Sequence, residues 1–123
     1  PSSFRASLET LKDIKMRGRK MVVCGDMLEL GVAAEALHRE LGALIADWLF
    51  DYVIATGPLS KHLVDEALKK GFDPKRIYHA QNSLEAGKIC REIAQSGDMV
   101  LVKGSRGMKM EKVFECFITS SIR

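Results

Sequence analysis

Several devices that would announce a function are missing from this sequence. No Gly-x-Gly-x-x-Gly fingerprint follows an apolar run, which argues against dinucleotide binding. No Gly-x-x-x-x-Gly-Lys-Ser/Thr loop is present to cradle a triphosphate, and no Gly-x-Ser-x-Gly elbow marks a hydrolase. Cysteine is scarce: Cys24, Cys90 and Cys116 are odd in number, far apart, and each lies in an apolar run. They show neither a metal-ligand spacing nor a disulfide framework, and read as small core residues of a reduced, intracellular protein. The three histidines do not cluster with them in the spacing of a zinc site, so no metal ligands are assigned. No apolar stretch approaches the roughly 20 residues of a membrane span, and no signal peptide is recognisable. Charge of one sign is weak as well. A net charge of +3, without a basic stripe interleaved with aromatics, gives no reason to expect nucleic acid as a partner. The basic cluster Arg17, Arg19, Lys20 reads as a solvated connector.

What is present is a regular alternation of elements. The 123 residues suit one domain, of a size that buries about two thirds of its unfolded surface. Ser2 or Ser3 can cap a first helix whose apolar face is Phe4, Leu8, Leu11 and Ile14, with Gly18 as its stop. A strand follows at Met21–Cys24, then a polar loop, Gly25–Gly31. Leu37, Leu41, Leu44, Ile45 and Trp48 recur at helical spacing over about Ala33–Leu49. Tyr52–Thr56 is the next strand, and Ser60 is placed to cap a helix that closes at Lys69-Lys70-Gly71. Asp73-Pro74 marks a turn before a weaker strand at Arg76–Ala80. Asn82 and Glu85 make a capping-box signature for a helix running to about Gln95. Met99–Val102 is the last strand. A final helix from about Met108 would turn Met110, Val113, Phe114 and Phe117 inward.

Strands alternating with helices of this length specify parallel βαβ units, hence an α/β fold with helices on both faces of the sheet. The expected strand order is 3-2-1-4. In that order the winding reverses between the first and last strands, and ligands of open α/β sheets bind at such a switch point. The loops flanking it are Gly25–Gly31 and Lys103–Gly107. The first carries Asp26 with Glu29, the second Lys103, Ser105 and Arg106. Lys, Ser and Arg on a glycine-containing loop suit a carboxylate or a phosphate. A carboxylate opposite them suits an ammonium group, so the pair fits a zwitterion such as an amino acid or short peptide. Asp26 can instead serve only to cap the following helix, and Lys103 and Arg106 can be ordinary surface charge. His38 is placed to reach the same cleft or simply to pack.

Gly25–Gly31 (GDMLELG), the His38…Gly42 pair after it, and Val100–Glu111 (VLVKGSRGMKME) resemble the C-terminal domain of MurF-type ligases. These are the UDP-N-acetylmuramoyl-tripeptide–D-alanyl-D-alanine ligases of bacterial peptidoglycan synthesis. Pro1-Ser2-Ser3-Phe4 looks like the end of the family's Tyr-Asn-Ala-Asn-Pro-x-Ser-Met segment, with Phe4 in place of the usual Met and Ser7 in place of a usual Ala. The resemblance covers nearly the whole chain. It implies a Rossmann-like three-layer fold over residues 1–123, the third domain of a cytoplasmic, ATP- and Mg²⁺-dependent amide-forming enzyme. A UDP-sugar-binding domain and a central domain with the phosphate-binding loop would precede it, and the opening without an initiator Met fits that reading. The missing triphosphate loop is then expected, as is the lack of catalytic residues, bound cofactor and activity in this chain alone. The third residue of the tripeptide and the oligomeric state are not readable from these residues. By motif match Lys103, Ser105 and Arg106 become candidates for contacts to the D-Ala-D-Ala carboxylate or to transferred phosphate. Asp26 would orient the amine or the lid, while Glu29 and His38 match the motif without an assigned role.

Two readings from other classes compete. A phosphoacceptor signalling domain would use Asp26, Thr56 and Lys103, but the ends of the second and third strands offer no further carboxylates for a magnesium ion. An interaction-only α/β domain would need an apolar patch outside the core face, and the sequence pattern shows none.

Overall fold

The computed structural model describes residues 2–116. They form α1 (Ser2–Asp13), β1 (Lys20–Gly25), α2 (Ala34–Asp47), β2 (Tyr52–Thr56), α3 (Ser60–Lys69), β3 (Ile77–Ala80), α4 (Ser83–Ile93) and β4 (Met99–Lys103). Single 3-10 turns lie at Gly31–Ala33, Pro74–Arg76 and Arg106–Met108, and the chain is helical again over 112–116.

The four strands make one parallel sheet in the order β3-β2-β1-β4, as the alternation requires. Because side chains alternate across a strand, each strand feeds two cores. Val22, Cys24, Val53, Ala55 and Ile77 point into one, packed by Phe4, Leu8 and Leu11 of α1, Leu41 and Ile45 of α2, and Leu63 and Ala67 of α3. Met21, Val23, Ile54 and Ala80 point into the other, against Ala86 and Cys90 of α4 and against Met110 and Val113. This is the three-layer arrangement, with the central strands β1 and β2 buried on both faces. Phe4 is fully buried, and its aromatic ring fills the first core. All three cysteines are free and buried, and burial pushes the Cys24 thiol up to about 12 and the Cys90 thiol to about 11.

Four details differ from the sequence reading, each for a local reason. α1 ends at Asp13, well before Gly18, because Ile14 N–H turns back to the Leu11 carbonyl in a tighter closing turn, and Ile14 still packs on the core. Ser60 begins α3 but does not cap it, since its hydroxyl has no partner. Phe114 is 54% exposed, because the chain breaks at Lys109 (φ 53°, ψ 43°) and the helix resumes only at 112, leaving Met110, Val113 and Cys116 as the inward set. The expected inward position of Phe117 lies outside the described residues. Arg19 is no solvated connector. Its guanidinium donates to the Asp98 carboxylate (Nη2–Oδ2 2.7 Å) and to the Ile93 carbonyl (2.8 Å), fastening the start of β1 to the turn before β4.

Candidate functional site

The switch point falls where the topology rule puts it, between β1 and β4, whose registers pair Cys24 with Lys103. At the carboxyl end of β1, Gly25 has no side chain, and a Cβ there would meet Met108 and the sulfur of Met110. That close approach lets the segment 106–110 lie over the end of β1.

Asp26 comes next, and it is 1% exposed. Its Oδ1 accepts from Ser60 N–H (2.7 Å) and its Oδ2 from Leu59 N–H (3.0 Å). A carboxylate at a helix N-terminus satisfies donors that the helix cannot, and opposes its dipole. Asp26 is therefore a cap, but of α3 rather than of the helix that follows it in sequence. The expectation that Asp26 faces Lys103 across an open cleft is corrected here: both carboxylate oxygens are used by main chain and none is accessible to an ammonium group. The adjoining Gly57 (φ 108°) turns the chain at the end of β2, and a Cβ on it would collide with the Asp26 carboxyl carbon. The same burial removes Asp26 from any phosphoacceptor role, and the Thr56 hydroxyl is occupied in a 2.9 Å bond to the Ala80 carbonyl.

Ser105 joins the two loops. Its N–H donates to the Asp26 carbonyl (3.0 Å), and its hydroxyl accepts from Leu28 N–H (2.7 Å). His38, 1% exposed on α2, accepts from Met27 N–H on Nε2 (3.1 Å), while its Nδ1 lies 2.7 Å from the Ala34 carbonyl. The Met27 bond requires Nε2 to be the acceptor, so Nδ1 carries the proton and donates to Ala34. Thus the side chains of Asp26, Ser105 and His38 are each engaged with main chain, those of Ser105 and His38 with the β1 loop and that of Asp26 with the start of α3. Their sequence motif is a scaffold.

The charged groups left over are Lys103, partly buried at the end of β4, and Arg106, exposed in the turn after it. Neither side chain has a hydrogen-bonded or ion-paired partner among the described residues. Glu29 is exposed on the β1 loop, also without a partner among them. Of the residues singled out in the sequence, the structure therefore gathers all six at one end of the sheet but divides them: Asp26, Ser105 and His38 hold main chain, and Lys103, Arg106 and Glu29 face outward. Sequence reasoning missed Leu28, which is 48% exposed beside Gly107, and the lysines Lys109 and Lys112, which line a neighbouring cleft. The irregular backbone at Lys109 carries no local sequence signal. Among the described residues no group of three or more His, Cys, Asp and Glu is assembled that could hold a metal ion, so the Mg²⁺ implied by the resemblance has no ligand set here. No described helix is long and apolar enough to cross a membrane.

A four-stranded parallel sheet with helices on both faces, and switch-point loops tied to each other, defines a Rossmann-like α/β domain. Comparison with known proteins makes the class specific. The family described as "Mur ligase, glutamate ligase domain" matches residues 1–106, and the chain belongs to that family. The UDP-N-acetylmuramoyl-tripeptide–D-alanyl-D-alanine ligase of Bacillus subtilis is 36% identical over 122 residues, covering 99% of this chain and 26% of that protein. The ligase of the same name from Escherichia coli is 31% identical over 112 residues, 90% of this chain and 23% of the relative. Among solved structures, a MurF ligase from Thermotoga maritima in complex with ADP superposes with a TM-score of 0.76 at 28% identity, over 97% of this chain and 26% of that one. A MurF from Acinetobacter baumannii gives a TM-score of 0.78 at 26% identity, with 97% and 25% coverage. The chain thus spans about a quarter of the length of the curated relatives it matches.

Proposed function

We propose that the chain is the C-terminal domain of a cytoplasmic, ATP-dependent ligase that joins D-Ala-D-Ala to UDP-N-acetylmuramoyl-tripeptide. The observation that carries this reading is the likeness, over nearly all of these 123 residues, to proteins bearing that name. In this reading the tripeptide carboxylate is activated as an acyl phosphate, and the dipeptide amine attacks it. The chain's own contribution is to bind and to cover. Lys103 and Arg106 supply positive charge to the dipeptide carboxylate or to phosphate, on a loop that Ser105 fixes to the end of β1. Arg suits a planar carboxylate through paired N–H donors, and Lys supplies a movable point charge. Asp26 and His38 act as positioning residues through the main chain of Leu59, Ser60 and Met27.

ATP and Mg²⁺ would be held by preceding domains. No triphosphate loop occurs in this sequence, so the chain alone is expected to bind no nucleotide by that route and to be inactive. The test is steady-state kinetics of the full-length ligase carrying Lys103→Met, with each substrate varied in turn. A selective fall in kcat/KM for D-Ala-D-Ala supports the reading. An unchanged value removes Lys103 from the site, and a loss confined to nucleotide binding moves it to phosphate.

A further inference from the structure

Two cysteines on the second face of the sheet take no part in the proposed function. Cys90 lies on α4 and Cys116 at the end of the helical segment 112–116, and both are buried free thiols. A glycine brings the two helices together. A Cβ on Gly87 would stand 2.8 Å from the Cys116 sulfur and 3.0 Å from the Val113 Cα, so the helices meet there at backbone distance. Cys90 follows Gly87 by one helical turn, and Cys116 follows Val113 by one, so each cysteine neighbours the contact on its own helix. Helical side chains lean back toward the N-terminus. The Cys90 sulfur therefore leans toward Gly87, where the Cys116 sulfur already lies.

Nothing else holds the Cys116 sulfur closely, since its one polar contact among the described residues is 3.9 Å to the Leu84 carbonyl. The two thiols also act on each other: burial first, and the Cys116 thiol second, push the Cys90 thiol up to about 11. Their access differs. Cys116 is 8% exposed and Cys90 is closed off, so a solute reaches Cys116 first. Cys24 provides the contrast, because it points into the core on the opposite face of the sheet.

We propose that Cys90 and Cys116 form a reversible disulfide when a peroxide reaches the protein, a redox clamp between α4 and the segment that follows β4. A disulfide needs Cα atoms about 4.4–6.8 Å apart, and a crossing on glycine gives that approach. The peroxide transfers one oxygen to the Cys116 thiol, giving a sulfenic acid and a water. The Cys90 sulfur then attacks the Cys116 sulfur, the S–O bond breaks, and the hydroxyl leaves with the Cys90 proton as a second water. Two thiols and one peroxide become one disulfide and two waters, and a reducing dithiol reverses the step by exchange. The clamp acts on the switch point, because the segment 106–110 that covers the end of β1 runs directly into the helix carrying Cys116.

The experiment treats the folded 123-residue chain with hydrogen peroxide, blocks the remaining thiols and maps the links by peptide mass spectrometry. Free thiols are expected to fall from three to one, with Cys24 the survivor and one peptide pair joining Cys90 to Cys116. Dithiothreitol is expected to restore all three. In the oxidised chain, amide exchange at Val113 and Phe114 is expected to slow about tenfold or more, because a cross-link suppresses the local openings through which they exchange. Cys90→Ala leaves the sulfenic acid without a resolving thiol, so its Cys116 is expected to take up dimedone, a sulfenic-acid probe. Cys24→Ala is expected to link as the parent does. The proposal is overturned if all three thiols survive the peroxide, or if the links join different chains or include Cys24. It is equally overturned if Cys116 of the parent proceeds to sulfinic acid as readily as in Cys90→Ala.

Discussion

The carboxylate of Asp26 and the backbone N–H of Ser60 meet at 2.7 Å although they are 34 residues apart, so the end of β1 serves as the cap of α3. The bond couples the first switch-point loop to the second βα unit.

Replacing Asp26 by Ala removes both acceptors at once and leaves the Leu59 and Ser60 donors buried. Hydrogen bonds to charged groups are each worth about 1.5–3 kcal/mol, and a lost N-cap about 0.5–2 kcal/mol. The expected loss is about 2–3 kcal/mol, read as a lower urea midpoint at unchanged m-value. A loss below about 0.5 kcal/mol would mean that water replaces the carboxylate.

The Arg19–Asp98 pair is expected to make stability depend on pH in acid. Asp98 accepts from the Arg19 side chain and main chain and from Gln95 N–H. The Arg19 guanidinium, ahead of the backbone donors, lowers its carboxyl from 3.8 to about 2. A carboxyl whose folded value is depressed contributes stability that is full above its unfolded value and is lost as pH falls through the folded one. Asp98→Asn is therefore expected to be less stable than the parent at pH 7, with the difference fading between about pH 4 and pH 2. Urea melts of both proteins across that range check it, and a gap that persists undiminished at pH 2 would place the effect in packing.

Gly42 sets two expectations against each other. Helix propensity alone predicts a gain of about 1 kcal/mol for Gly42→Ala. In the structure a Cβ at this position would run into the Leu63 carbonyl, where α2 crosses α3. Backbone cannot yield as a flexible side chain does, and overpacking costs about 1–3 kcal/mol. The net change is expected to be destabilising, and a raised melting temperature would show that the two helices can separate without penalty.

These residues also show what was legible in the sequence. The strands could be read because apolar runs and βα alternation are local, and strand order followed from crossover rules acting on that alternation. The Asn82–Glu85 cap could be read because both partners lie within one turn. Asp26 could not be resolved between cap and ligand, because the donors it serves arrive from α3 after folding. Gly42 matched a motif without a reason until the α2–α3 crossing supplied one. Arg19 looked like surface charge because Asp98 is distant in sequence. Ser105 and His38 were selected for their chemistry, yet their hydrogen bonds go to main chain.

On the proposed function, Lys103→Met in the full-length protein is expected to lower kcat/KM for D-Ala-D-Ala by roughly 30-fold or more, the consequence of about 2–5 kcal/mol for losing one partner of a desolvated charge pair. A lysine that only meets solvent would contribute less than about 1 kcal/mol. Nucleotide binding measured without dipeptide should change little. Equal losses for every substrate would point to a folding defect instead.

The double tie made by Ser105, through its N–H to Asp26 and its hydroxyl to Leu28, has a kinetic consequence. Two loops that hold each other do not have to be ordered by an arriving molecule, since that ordering is complete once β1 and β4 pair. On the proposed function, an anion approaching Lys103 and Arg106 would meet a mould already set, its capture governed by encounter and orientation rather than by loop rearrangement.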